Sequence, residues 1–330
     1  MGQQMSILLN ESPGRAGLTK HTRRLLQRLL GGIIVLWASA TVTFFALKLT
    51  PGDPVRALLG GPSANPTPET IAATIREFGL DKPVAEQYLI WLKRLLSGDF
   101  GVSFSQHQPV AEVIAEQIGP TLQLTLAALL FAWLLALISV LSTASRHRLL
   151  SSIGSALETL SAALPQFWLG IVLLSVFAFG LQWFPPESDE GLAGLVLPAL
   201  ALAIPLAGFM SQVMREAFDI GMEQPFVLSA RARGVRDITV RLRHVLRHAL
   251  LPAVSLSAWA VGALMGNAVL IELIFSRQGI GRQLYQAVMK QDMPLTVGIT
   301  LVITLAYIVT SLLVDILYVV IDPRIEENRP

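Results

Sequence analysis

Six stretches of this sequence contain no Asp, Glu, Lys or Arg, and each is long enough to cross a bilayer. They cover residues 29–47, 121–145, 159–186, 191–214, 249–271 and 293–314, with lengths of 19, 25, 28, 24, 23 and 22. A hydrocarbon core about 30 Å thick needs roughly 20 apolar residues per helix. The 25 basic and 23 acidic residues therefore crowd into the other 189 of 330 positions. That density, about one in four, is ordinary for water-exposed protein. A soluble enzyme, a disulfide scaffold (there is no cysteine) and a disordered chain are excluded. In lipid, backbone N–H and C=O groups must bond within the segment or around a closed barrel. Barrel strands alternate over about ten residues, whereas these runs are continuous and rich in Leu, Ala, Val and Ile. The expected fold is all-α, a polytopic membrane protein with six transmembrane helices.

Basic residues set the orientation. The amino-terminal tail, the second–third connection, the fourth–fifth connection and the carboxy-terminal tail together hold 16 Lys and Arg. The opposite side has four near the span ends (Lys48, Arg277, Arg282, Lys290), and five more in a loop too long to weigh in the count. Both termini are expected in the cytoplasm. Ala38-Ser39-Ala40 mimics a signal-peptide cleavage site, but the apolar stretch continues to Leu47, so an uncleaved first span is expected. The domain plan is a tail over 1–28, a first helix over 29–49 and an extracytoplasmic loop over 50–120. A five-helix core over 121–321 follows, with a cytoplasmic segment at 215–248, and then a tail over 322–330.

The loop over 50–120 predicts helices of its own. Thr67 and Pro68 form an amino-terminal signature, Ile71, Ile75 and Phe78 recur at helical spacing, and Gly79 is placed to stop the helix. A second helix after Asp81 puts Val84, Tyr88, Trp91 and Leu95 on one face and ends near Gly98. A third, short one fits Val110, Val113, Ile114 and Ile118. With eight acids against five bases the loop is net −3. It reads either as a lid over the helix ends or as a docking surface for a partner outside the cell.

In the segment 215–248, Gln224 and Pro225 open a short helix through Arg233 that Gly234 terminates, and Asp237 begins a further basic helix. A rod of about nine residues is only about 13 Å long and marginal alone. It must pack on something. Phe226, Ala230 and Gly234 share a face, flanked by Arg231 and Arg233. An interfacial helix on anionic lipid and a helix inserted into a cytoplasmic partner both satisfy these residues.

Within or beside the apolar runs lie Asp315, Glu272 and Glu158. Carboxylates at such depths face the bundle interior or water, so Glu272 and Asp315 are candidates for translocation or gating, or for structural hydrogen bonds. Glu158 reads as interfacial. Pro165, Pro198, Pro205 and Pro252 are expected to kink their helices. No G-x-x-x-x-G-K-[ST] phosphate loop occurs. His244 and His248 sit among arginines and read as a solvated basic face, and Gly101 to Ser105 lacks a nucleophile elbow. Catalytic, cofactor-binding and metal-binding residues are not expected.

From about Leu29 to Arg324 the sequence resembles the inner-membrane permeases of binding-protein-dependent ABC importers of the dipeptide, oligopeptide and nickel class. The resemblance is carried by Thr50-Pro-Gly-Asp-Pro54, Gly79-Leu-Asp81 with Pro83, Gln87-Tyr88, Trp91-Leu92 and Gly98-Asp-Phe-Gly101 with Ser103. Pro109-Val110, Pro120-Thr-Leu122, Ala230-Arg-Ala232 with Gly234, and Leu251-Pro252 continue it. Gly279-Ile-Gly-Arg282, Asp292 with Pro294, Leu313-Val-Asp315, Tyr318 and Asp322-Pro-Arg324 complete it. It implies the fold of a type I ABC importer permease in a bacterial inner membrane. The implied partners are a second permease in a heterodimer, two ABC ATPase subunits and an extracytoplasmic solute-binding protein, and no nucleic acid. ATP and Mg would belong to the ATPase subunits, leaving no cofactor in this chain. The solute would be a peptide, nickel or a metal-chelate or opine-type compound. The helix after Pro225 would be the coupling helix, with Phe226, Ala230, Arg231, Arg233 and Gly234 at the ATPase contact. Leu228 stands where the wider motif has an acid, Phe226 where the class has tyrosine, and Gln278 where it has proline. The competing reading is a proton-coupled secondary transporter using Asp315 and Glu272.

Overall fold

The computed structural model describes residues 13–49, 55, 59, 66–77, 79–187 and 191–321; the side chains of 13–26, 77, 258 and 315–321 lie outside that description. Thr50-Pro-Gly-Asp-Pro54, Phe78 and Asp322-Pro-Arg324 also lie outside it. The described chain is all helical apart from one isolated bridge between Val102 and Pro109.

Helix α1 covers Pro13–Leu49, so it begins well ahead of the apolar run and carries much of the expected tail within it. In the loop, α2 (Pro68–Glu77) and α3 (Val84–Leu96) form where the spacing predicts them. Gly79 takes φ 61°, the left-handed value that favours glycine, and Leu80 N–H donates back to the Ile75 carbonyl at 2.9 Å. Tyr88 and Trp91 lie against Phe44, with ring centroids 5.3 Å away, and the Tyr88 and Thr41 hydroxyls are 2.8 Å apart. Val84, expected on the same face, stays exposed. The third loop helix is not separate. It continues through Pro120 as α4, Val110–Thr143, because a proline a full three turns into a long helix costs one backbone bond, not the whole rod.

Next come α5 (Arg148–Ala163) and α6 (Gln166–Leu173), the latter extended by π-turns over Leu174–Gly180. The third apolar run is therefore not one span over 159–186. Its first residues finish α5, and α6 leaves at 99°. Pro165 is the cause, since it forbids the α-conformation to the residue before it, and Leu164 is extended at φ −73°, ψ 128°. Helix α7 (Gly191–Met222) carries Pro198 and Pro205 inside one continuous rod. The short rod opened by Pro225 is α8, Pro225–Ala232. Beyond it, α9 (Asp237–Thr239) runs through π-turns at Val240–Val245 into α10, Leu246–Ile274. That rod bends by 46° between Ser257 and Trp259, six residues beyond Pro252. Helices α11 (Ile280–Met289) and α12 (Met293–Ile321) complete the described chain.

Among the described residues, four helices are long and apolar enough to cross a membrane unbroken, and the two bent pairs raise this to six if each is one span. The protein is a polytopic helical membrane protein. Its hub is α7, which packs on α4, α5, α6 and α10, while α1 leans on α12 at the rim. Lipid tails offer little hydrophobic drive between helices, so close backbone approach through small residues matters. Leu124, Ala128, Ala132, Ala136, Val140 and Ala144 form one buried stripe of α4 and its end. A side chain at Gly208 of α7 would lie 2.6 Å from the Glu158 carbonyl oxygen of α5.

Candidate functional site

The short helix α8 is built as its sequence dictates. Gln224 caps it in an extended conformation, Pro225 occupies the first turn, and Gly234 at φ 78° ends it, with Val235 N–H returning to the Ala230 carbonyl at 3.2 Å. Its facing departs from the expected one in part. Val227 and Ala230 are buried in the same core as Val240 and Val245, and the half-buried Phe226 ring lies 5.5 Å from His248. Of the face expected to meet a partner, Ala230 and part of Phe226 are thus seated on the chain's own following helix, while Gly234 stays outward. The reason is energetic: eight residues cannot hold a helix without burying an apolar stripe, and this is the stripe the rod has. What remains outward is Leu228, 74% exposed, with Arg231, Ala232, Arg233 and Gly234. A Cβ on Gly234 would meet open space.

Arginines tie this rod to the bundle. Arg231 Nη2 lies 2.8 Å from Asp237 Oδ1, and Arg241 Nε lies 2.9 Å from Asp237 Oδ2. The first pair is half exposed and worth at most about 1 kcal/mol. Arg241 is different. It is buried, donates to the carbonyls of Ala144 (2.8 Å) and Ser145 (2.6 Å), and lies 5.5 Å over the Phe218 ring. A charged donor thus satisfies the carbonyls at the α4 terminus, where the helix dipole favours a cation. The basic segment is therefore only partly solvated.

Glu158 is buried among helices of the chain itself. It is 2% exposed and forms a two-bond pair with Arg215 of α7, Nε to Oε2 and Nη2 to Oε1, both at 2.7 Å. Ser139 adds a third bond from α4 at 2.6 Å, and Thr143 also bonds Arg215. Gly154 is required here, because a Cβ would run into Thr143 and Arg215. Three helices meet on one ion pair.

Glu272, offered by the sequence as a gating carboxylate, is fully buried and fully occupied. Its Oε1 accepts from the Thr121 hydroxyl at 2.5 Å and its Oε2 from Arg282 N–H at 2.9 Å, while Thr121 accepts Ile280 N–H at 2.9 Å. Gly279 and Gly281 make room: a Cβ on the first would fall on the carboxylate, and on the second 2.6 Å from Val269 Cα. The motif Gly279-Ile-Gly-Arg282 is thus the cradle that receives Glu272 at the start of α11, where unpaired N–H groups favour an anion. Asp315 lies on the α12 backbone, with its side chain outside the described residues. It stands 22 residues beyond Met293, about 33 Å along the helix, so it and Glu272 occupy opposite ends of the bundle. The structure does not bring the two together. Glu272→Gln keeps acceptor capacity and is expected to keep uptake within about threefold, whereas Glu272→Ala leaves two donors unmet. A thermal melt of the alanine variant should show a loss of about 1–3 kcal/mol; abolished uptake in the glutamine variant would restore a proton role.

Sequence reasoning did not pick out Asp292 as a site. It is buried and accepts from Ser103 (2.6 Å) and from the Ser105 N–H (2.9 Å) and hydroxyl (2.8 Å), while its Oδ1 receives Leu295 N–H at 3.2 Å. It caps α12 and clamps the loop segment after Gly98 onto it. The available signal was an Asp two residues before a proline at the start of an apolar run, a helix-cap pattern.

The model for the binding-protein-dependent transport system inner membrane component matches residues 128–327, and the model for the amino-terminal part of such a membrane component matches residues 21–125. The chain belongs to this family, and it is a permease subunit of an ABC importer. It is 34% identical over 301 residues to the glutathione transport system permease protein GsiC of Salmonella choleraesuis, covering 91% of this chain and 97% of that one. It is 37% identical over 316 residues to a putative peptide permease protein of Brucella suis, covering 92% and 99%. The Escherichia coli K12 GsiC is 31% identical, covering 91% and 97%.

Proposed function

We propose that this permease forms half of the path for a peptide-type solute, in the inner membrane of a bacterium, with both termini cytoplasmic. A second permease completes the path, a solute-binding protein delivers to the loop side, and two ATPase subunits dock on the basic side and hold the ATP and Mg. This chain then has no hydrolytic site of its own. The peptide class is supported by the names of relatives that align over nearly their whole length, glutathione and peptide permeases. The docking is carried by one observation: the exposed side of α8 presents Leu228, at 74%, one turn before the exposed Arg231, on a rod already seated by its other side. An apolar knob beside a basic residue suits an apolar slot in a partner. No acid stands at that position, so the contact gains by burial of Leu228, about 1.5–3 kcal/mol, and not by a salt bridge.

ATP binding and release would favour different arrangements only through contacts that differ between them. The route for that bias is short: α8, Arg231, Asp237, Arg241 and the end of α4. The chain has no native cysteine, so Leu228→Cys gives a single thiol. In intact cells it is expected to crosslink to an ATPase subunit, with uptake driven by ATP and indifferent to a proton uncoupler. Absence of any such crosslink, with uptake collapsing on uncoupling, would return the chain to the proton-coupled class.

A further inference from the structure

Both bent helix pairs break at the same cavity. A space of about 290 Å³ is lined by Ala162 and Gln166, which flank the break between α5 and α6, and by Trp259, which follows the break in α10. Phe209 and Pro205 of α7 and Asn267 of α10 close it. Interrupted helices are tolerated at membrane depth where they line a water-filled space or are buried in protein, and in transporters they mark where solute is held. Two breaks converging on one cavity, one early in its apolar run and one near the middle of its own, is a stronger sign than either alone.

The lining has a definite chemistry. Phe209 and Trp259 have ring centroids 5.9 Å apart, and both remain substantially exposed, at 41% and 50%. Asn267 is exposed within a largely apolar stretch of α10, and neither its carboxamide nor that of Gln166 has a hydrogen-bond partner among the described side chains. An unpaired amide turned to hydrocarbon is costly, so this face meets water or solute. Among its described lining residues none is ionisable.

Resting on the permease reading above, we infer that Gln166, Phe209, Trp259 and Asn267 line this subunit's half of the path. They suit a neutral or zwitterionic, amide-bearing solute: each carboxamide can both donate to and accept from a peptide group, the rings pack its apolar side chains, and nothing selects on net charge. The break at Ser257 is itself held, since Trp133 Nε1 donates to its hydroxyl at 2.9 Å. The bend therefore belongs to the packed structure of this region.

The test uses single-cysteine variants Asn267→Cys and Gln166→Cys in the assembled transporter in membrane vesicles. The probe is a water-soluble, membrane-impermeant methanethiosulfonate, applied without nucleotide and after trapping with ATP and vanadate. Modification in at least one state is expected for both variants. Labelling that does not respond to nucleotide would count against ATPase coupling while leaving the lining intact. Modification only by a lipid-soluble maleimide, or quantitative crosslinking to the second permease with no reaction in any state, would overturn the inference. As a functional readout, Asn267→Asp should shift the uptake ratio of a lysyl over a glutamyl peptide by about tenfold or more, because one fixed charge now faces the solute. An equal fall in both would place the residue outside the path.

Discussion

Replacing Leu228 by aspartate is expected to abolish uptake while leaving the permease inserted and as thermally stable as before. The side chain is 74% exposed, so the fold loses almost nothing by the change. Docking loses the burial of a leucine, about 1.5–3 kcal/mol, and must also desolvate a carboxylate. Together these exceed about 3 kcal/mol, more than a hundredfold in affinity. Leu228→Ala should fall between, with a weakened but measurable complex. The measurements are copurification of the ATPase subunits and uptake in the same membranes. Undiminished uptake in the aspartate variant would show that the outward side of α8 touches nothing that matters. Substitution at Ala230 is a poor probe of the same idea, because that residue is buried and a larger side chain there unseats the rod.

Glu158→Ala is expected to cost about 3–5 kcal/mol, the penalty for stranding one member of a buried ion pair. The residue left behind, Arg215, sits at only 8% exposure between α4, α5 and α7, so bulk solvent replaces the two lost bonds poorly. Thermal unfolding in detergent, with insertion checked in membranes, reads the effect. Removing both charges, as Glu158→Leu with Arg215→Met, should recover much of the loss, since hydrophobic replacement of a complete buried pair is often neutral. If the single and double variants melt alike, the pair is not what holds these helices.

These two effects differ in how far the sequence foretold them. The short rod α8 was legible to the residue: Pro225 opens it, Gly234 closes it, and both act through local backbone geometry that needs no neighbours. Which side faces out was not legible. Phe226, Ala230 and Gly234 share a face in any helix, but whether that face meets a partner or the same chain depends on where Val240 and Val245 arrive. Glu158 and Arg215 stand 57 positions apart, and only the crossing of α5 over α7 brings them together. Glu272 is similar. Its burial near the end of an apolar run was visible, but the glycines that admit it belong to another helix.

By itself the sequence determined that the chain is helical and membrane-embedded, because charge-free runs of bilayer length have no other way to satisfy their backbone in lipid. It also determined the local punctuation: the loop helices, the short rod and their glycine stops. The tertiary structure decided the rest. It turned one apolar run through 99° at Pro165, carried α4 through Pro120, and assigned each buried charge its partner. Helix formation is settled by bonds within a few residues, whereas the side a helix buries, and the cost of a charge placed there, are fixed by residues dozens of positions away that arrive only when the bundle packs.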